Sequence, residues 1–164
     1  MVINMEKLDY QFQDFLMEVK DEYKDFVHTV HEKLLNEGCK VVVGSSKTNL
    51  FSVKYKQGRR GIFNFILRKR SFKASVYVAN YAKYPDVLNR LPESMVSQID
   101  KVHYCVNMKE PGECLSKCIG YDFHIRDTHY QKCKFSCFQF NVDDESIPLL
   151  LELLENELEA RRAV

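Results

Sequence analysis

The chain has 164 residues, 45% hydrophobic and 29% charged, with a formal net charge of +1. These totals suit one domain with its own core and exclude a wholly disordered or membrane-embedded chain. The opening MVINMEKLDYQFQDF has no basic stretch leading into an apolar run, so the expectation is a cytoplasmic protein, without membrane contact, whose six cysteines stay reduced.

From Met5 to Glu37 the apolar positions, among them Leu8, Phe12, Phe15, Val19, Tyr23, Phe26, Val30 and Leu34, fall mostly three or four apart with no proline or glycine between them. That spacing predicts an amphipathic helix over 5–37, closed by Gly38 as the residue of positive φ. At ~1.5 Å per residue it would reach about 50 Å, more than a compact domain needs. Either part of the stripe serves a homodimer through this helix, or the helix breaks.

After Gly38 the period changes to two. Lys40 to Val43, Leu50 to Lys56, Gly61 to Lys69 and Phe72 to Ala79 read as strands within 39–79, with a hairpin loop at 57–61 and a tighter turn near Arg68 to Ser71. Pro85 opens two short helices over 85–102, split at Pro92. A cysteine-bearing hairpin over 112–142 follows, with Tyr121 to Arg126 and Phe135 to Val142 as strands. A helix over 144–162 closes the chain, with Asp143 or Asp144 as its cap and Pro148 in its first turn. The order describes a single α+β domain over 1–164. Its antiparallel sheet has about five or six strands, with a long N-terminal helix, short middle helices and a C-terminal helix packed on it.

The strand pair FSVKYKQGRRGIFNFILRK, then SFKASVYV, a proline-initiated helical stretch and VDDESIPLLLELLENELEAR make the region from Leu50 to Arg161. This region resembles the small bacterial α+β proteins grouped as YdhG-like and YjbR-like domains. The resemblance implies a soluble single domain and carries over no functional residue; the paired cysteines depart from it.

Charge is segregated. Between Gly38 and Pro85 stand eleven Lys or Arg and no Asp or Glu, whereas the first 37 residues carry nine acids against four lysines. Arg59, Arg60, Arg68, Lys69, Arg70 and Lys73 are therefore candidate ligands for nucleic-acid phosphates or other anions, with Tyr55, Phe63, Phe65 and Phe72 as stacking surfaces. The competing expectation is that these aromatics form the core and the cations guard the sheet edges.

Four cysteines form two pairs of one spacing, Cys114-x3-Cys118 and Cys133-x3-Cys137. Two close pairs are an economical way to give zinc four thiolates, since each is fixed locally and one loop then closes the site. Geometry objects for the second pair: in regular strand its α-carbons would lie about 13 Å apart, while sulfurs on one zinc come within about 4 Å. Either the chain turns there, or His129 or His124 replaces Cys137. Buried thiols, a redox pair and an iron–sulfur cluster are the alternatives. Cys39, at the start of a strand, reads as core.

A catalytic zinc would need an open position beside Glu113, Asp122, His124, Asp127 or His129. His28 and His31, with Glu32, share a helix but lack the spacing of zinc proteases, and no phosphate-binding glycine loop or nucleophile elbow is present. The leading expectation is a domain that binds a small ligand or a protein and carries a structural zinc. A small metal- or thiol-dependent enzyme is the alternative, and nucleic-acid binding through the basic sheet is a second.

Overall fold

A computed structural model describes residues 5–77, 80–102, 121–132 and 138–163. Within them the N-terminal periodicity becomes two helices, α1 over Met5–Glu18 and α2 over Asp21–Asn36. Lys20 has an extended backbone (φ −58°, ψ 140°), and Asp21 and Glu22 open α2 with negative charge at its positive end. The long helix expected over 5–37 is thus broken, and packing gives the reason. Phe15 and Phe26 both meet the ring of Phe65, at 5.7 and 5.8 Å between centroids. In one straight helix they would lie about 16 Å apart along the axis, so only a bend brings both to a common ring. Gly38 (φ 78°) ends α2, and the Cys39 amide donates back to the Leu34 carbonyl at 3.0 Å.

An antiparallel meander follows: β1 Lys40–Gly44, β2 Phe51–Gln57, β3 Arg60–Arg68 and β4 Ser71–Val76. Two short helices, α3 Pro85–Asn89 and α4 Glu93–Asp100, are separated near Pro92 as expected. Then β5 Tyr121–Ile125 and β6 Thr128–Lys132 pair as a separate hairpin. The strand read over Phe135 to Val142 is, among the described residues, the short β7 Phe140–Asn141, which joins β4 to give the sheet order β1-β2-β3-β4-β7. The last helix, α5, spans Ser146–Arg162. The Ser146 amide donates to the Asp143 carboxylate at 2.8 Å and the Asp143 amide to the Ser146 hydroxyl at 3.1 Å, so Asp143 takes the capping role.

Residues directly opposite across the ladders share a face. Val53, Tyr55, Phe63, Phe65, Ala74 and Val76 make the inner one, all without exposed surface. α1 and α2 pack there, Phe15 also meeting Phe51 and Phe72. α5 runs beside α2, with the ion pairs Lys33–Glu155 and Arg162–Glu37 joining the two terminal regions. A second aromatic cluster, Tyr81, Phe123, Tyr130 and Phe138, holds the β5–β6 hairpin to the turn after β4. No described helix is long and apolar enough to cross a membrane.

Candidate functional site

Cys114, Cys118, Cys133 and Cys137, the expected zinc ligands, lie outside the described residues, as does Glu113. The two alternates lie within them. His124 and His129 are cross-strand partners on the exposed face of the hairpin, with rings stacked at 4.8 Å, and His129 Nε2 meets Asp122 at 2.6 Å. Among the described residues no group of three or more His, Cys, Asp or Glu is arranged to hold a metal. His28 and His31 diverge: His28 is exposed, while His31 stacks on Phe12 and bonds the Tyr55 hydroxyl at 2.8 Å. Cys39 is buried and free, and burial, with Glu37 nearby, pushes its thiol up from the usual value.

The six candidate anion ligands separate into three places. Arg59 and Arg60 sit at the β2–β3 turn, Arg68, Lys69 and Arg70 at the β3–β4 turn, and Lys73 on the outer face opposite Ile66. At ~3.3 Å per residue the two turns stand about 26 Å apart along β3. Tyr55, Phe63 and Phe65 are fully buried, which withdraws them from stacking on bases. The six candidates therefore do not form one basic platform.

The β3–β4 turn opens on a cleft of about 340 Å³. Arg68, Lys69 and Arg70 line one side, and Lys20, at the break between α1 and α2, lines the other. Tyr23, Phe72 and Leu50 supply apolar surface, and Glu18 is the one acid of the lining. Arg68 is held by its Nε, which donates to Asn49 at 2.8 Å; the Asn49 amide in turn donates to the Ser46 hydroxyl at 3.1 Å. This leaves the outer edge of the guanidinium for another acceptor. Burial raises the Tyr23 phenol, with Glu22, Asp144 and Asp143 adding to the effect. Of these acids, Asp143 is engaged at the start of α5.

Arginine pairing marks this stretch off from the rest of the chain. Of the eight arginines, Arg90, Arg126, Arg161 and Arg162 each meet a carboxylate. Arg59, Arg60, Arg68 and Arg70 meet none among the described residues, nor do Lys20 and Lys69. The segregation read along the sequence thus persists in space.

Sequence reasoning missed Lys20, which looked like one residue of an acidic helix; the run Lys-Asp-Glu is a helix-start signal, with acids in a first turn. It also missed Glu157, which has no exposed surface and accepts from Asn80 (3.0 Å), the Tyr84 hydroxyl (2.7 Å) and Arg161 Nε (2.9 Å). Arg161 also donates to the Gly61 carbonyl at 2.8 Å. The Glu157 carboxylate is thus held by three donors from three places in the chain, which makes the cluster a tie between sheet and helix.

No family model matches the chain, and no curated protein or solved structure matches it either.

Proposed function

We propose that this chain is a binding domain for a small anionic ligand, held in the cleft at the β3–β4 turn. The observation that carries the reading is the set of four cations, Lys20, Arg68, Lys69 and Arg70, gathered round one cleft with no carboxylate paired to any of them among the described residues. Unpaired cations that share a concave surface raise the local concentration of anions, and a guanidinium fixed through its Nε presents a planar edge to phosphate or carboxylate. Arg59 and Arg60 stand at the other turn and do not line this cleft. The two Cys-x3-Cys pairs enter the same proposal as a structural zinc site. Their matched spacing supports it, together with the hairpin register, which closes on Tyr121 opposite Lys132, three residues after Cys118 and one before Cys133.

The test is calorimetric titration with inorganic pyrophosphate, at low and at raised salt. Binding should weaken with salt, disappear in the Lys69→Glu/Arg70→Glu variant and survive in Arg59→Glu/Arg60→Glu. Equal loss in both variants would reduce the effect to general positive charge and defeat the cleft. A single-stranded oligonucleotide whose affinity grew with length would assign the cations to a nucleic-acid backbone instead.

A further inference from the structure

The edge of the sheet at β1 carries a second, separate set of unpartnered groups. β1 bonds to β2 on one side only, and no backbone group of Lys40–Gly44 bonds beyond that pair among the described residues. An edge strand with free amides and carbonyls is a template for another strand. Native edges are commonly blunted by a bulge, a proline, a lysine or a cover; of these β1 carries Lys40 at one end and has α1 packed beside it. β1 has no proline, and the register shift of the sheet lies in β2–β3 instead. Val42 is 48% exposed at its centre.

The outer face beside this edge is cationic. Lys40 stands directly opposite Lys56, and Lys54 opposite Val42, all three lysines being exposed and free of ion pairs among the described residues. Like charges directly opposite in a ladder destabilise it, and no carboxylate of the described fold relieves this pair. The inner side of the same edge is different. A groove of about 270 Å³ runs between β1 and α1, lined by Gln11, Asp14, Val43, Gly44, Ser45 and Phe51. A strand added to β1 sends alternate side chains to these two sides, because successive residues of a strand point to opposite faces.

We infer that β1 is a docking edge for an extended peptide whose alternate residues are acidic, bound by strand addition. Its acidic side chains lie over Lys40, Lys54 and Lys56, and its intervening small apolar ones enter the groove against Val43 and Phe51. The backbone ladder gives affinity, and the two unlike faces select the sequence and its register. A second copy of this chain is the poorer occupant: pairing KVVVG with itself brings more lysine to a face that already has three and offers it no carboxylate.

The test uses fluorescence anisotropy with three labelled hexapeptides, capped at both ends: alternating Glu and Val, alternating Lys and Val, and the Glu-Val peptide N-methylated at alternate residues on the pairing edge. The Glu-Val peptide should bind at least about tenfold more tightly than the other two, since charge and ladder are both required. A Lys54→Glu/Lys56→Glu variant should reverse the preference between the acidic and basic peptides. Amide exchange should slow within 40–44 when the acidic peptide binds, which separates this edge from the cleft at the β3–β4 turn. Indifference to N-methylation would overturn strand addition, and indifference to the charge reversal would overturn the acidic partner. Protection of 40–44 in the chain alone, rising with its concentration, would assign the edge to self-association and overturn the proposal.

Discussion

Tyr84 and Glu157, 73 residues apart in sequence, are joined by a 2.7 Å hydrogen bond in which the phenol donates to a carboxylate without exposed surface. This bond, with those from Asn80 and Arg161, ties the turn after β4 to the last helix. Removing the carboxylate leaves Arg161 nearly buried without its charge partner. Glu157→Ala should therefore cost about 3–5 kcal/mol, against roughly 1–2 kcal/mol for Tyr84→Phe. Urea unfolding of both variants measures the difference, and a Glu157→Ala midpoint at the wild-type value would show the cluster to be idle.

Three buried phenols give the fold an alkaline limit. Burial raises Tyr55, Tyr84 and Tyr130 above the ordinary tyrosine value, Tyr130 to about 12 with a hydrogen bond to Asp100 as the next cause. The folded state then keeps protons that the unfolded chain releases above about pH 10, so stability is complete below that pH and falls as pH rises toward 12. Tyr130→Phe should flatten part of this fall whatever it does to stability at neutral pH. Unfolding midpoints measured from neutral to alkaline pH give the slope; identical slopes in the two proteins would refute the assignment.

Arg126 is the one described residue other than glycine with positive φ, at 52°. Its amide donates to Asn89 at 2.7 Å, and its guanidinium to Glu93 and to the Leu91 carbonyl, each at 3.1 Å. These bonds hold the β5–β6 turn against α3 and α4 despite a left-handed backbone that costs about 1–2 kcal/mol. Arg126→Ala loses the side-chain bonds and keeps the backbone cost, whereas Arg126→Gly loses the bonds and relieves it. Both should melt below wild type, with alanine the worse by about 1 kcal/mol. The reverse order would mean that the turn relaxes once the guanidinium is gone.

Gly61 leaves room for the ring of Tyr77. A β-carbon built on Gly61 would stand 2.8 Å from that ring, whose hydroxyl accepts from Asn64 at 3.2 Å. Gly61→Ala should destabilise by about 1–3 kcal/mol through overpacking. In a Tyr77→Leu background the same change should cost clearly less, since the two positions share one contact. An additive double-mutant cycle would place the strain elsewhere.

For the cysteines the expected result is about one zinc per chain by elemental analysis of protein purified under reducing conditions. Cys114→Ser and Cys133→Ser should each lose the metal together with thermal stability. Zinc retained in either variant would separate the two pairs, and metal-free wild-type protein would return them to ordinary thiols.

Local pattern alone carried much of this molecule. The change of period at Gly38 marks where helix gives way to sheet, because only a residue without a β-carbon takes φ 78° at no cost. The alternation through Val53, Tyr55, Phe63 and Phe65 likewise gave the meander and its buried face, since period two can bury only one side of a strand. Even the absence of acids between Gly38 and Pro85 survives folding as four arginines that meet no carboxylate among the described residues.

What the sequence could not decide is which distant residues meet. Periodicity is the same for one helix or two, and only the shared contact with Phe65 requires the break at Lys20 that delivers a cation to the cleft. The six basic candidates are alike in composition, yet the length of β3 parts them into two turns and a face, and three of them line the cleft at the β3–β4 turn. Glu157 reads as one more acid on a charged helix until Tyr84, Asn80 and Arg161 close around it. Local order depends on neighbours within a few residues, which a sequence displays; a site depends on contacts such as the 73-residue separation between Tyr84 and Glu157, and those exist only once the chain has packed.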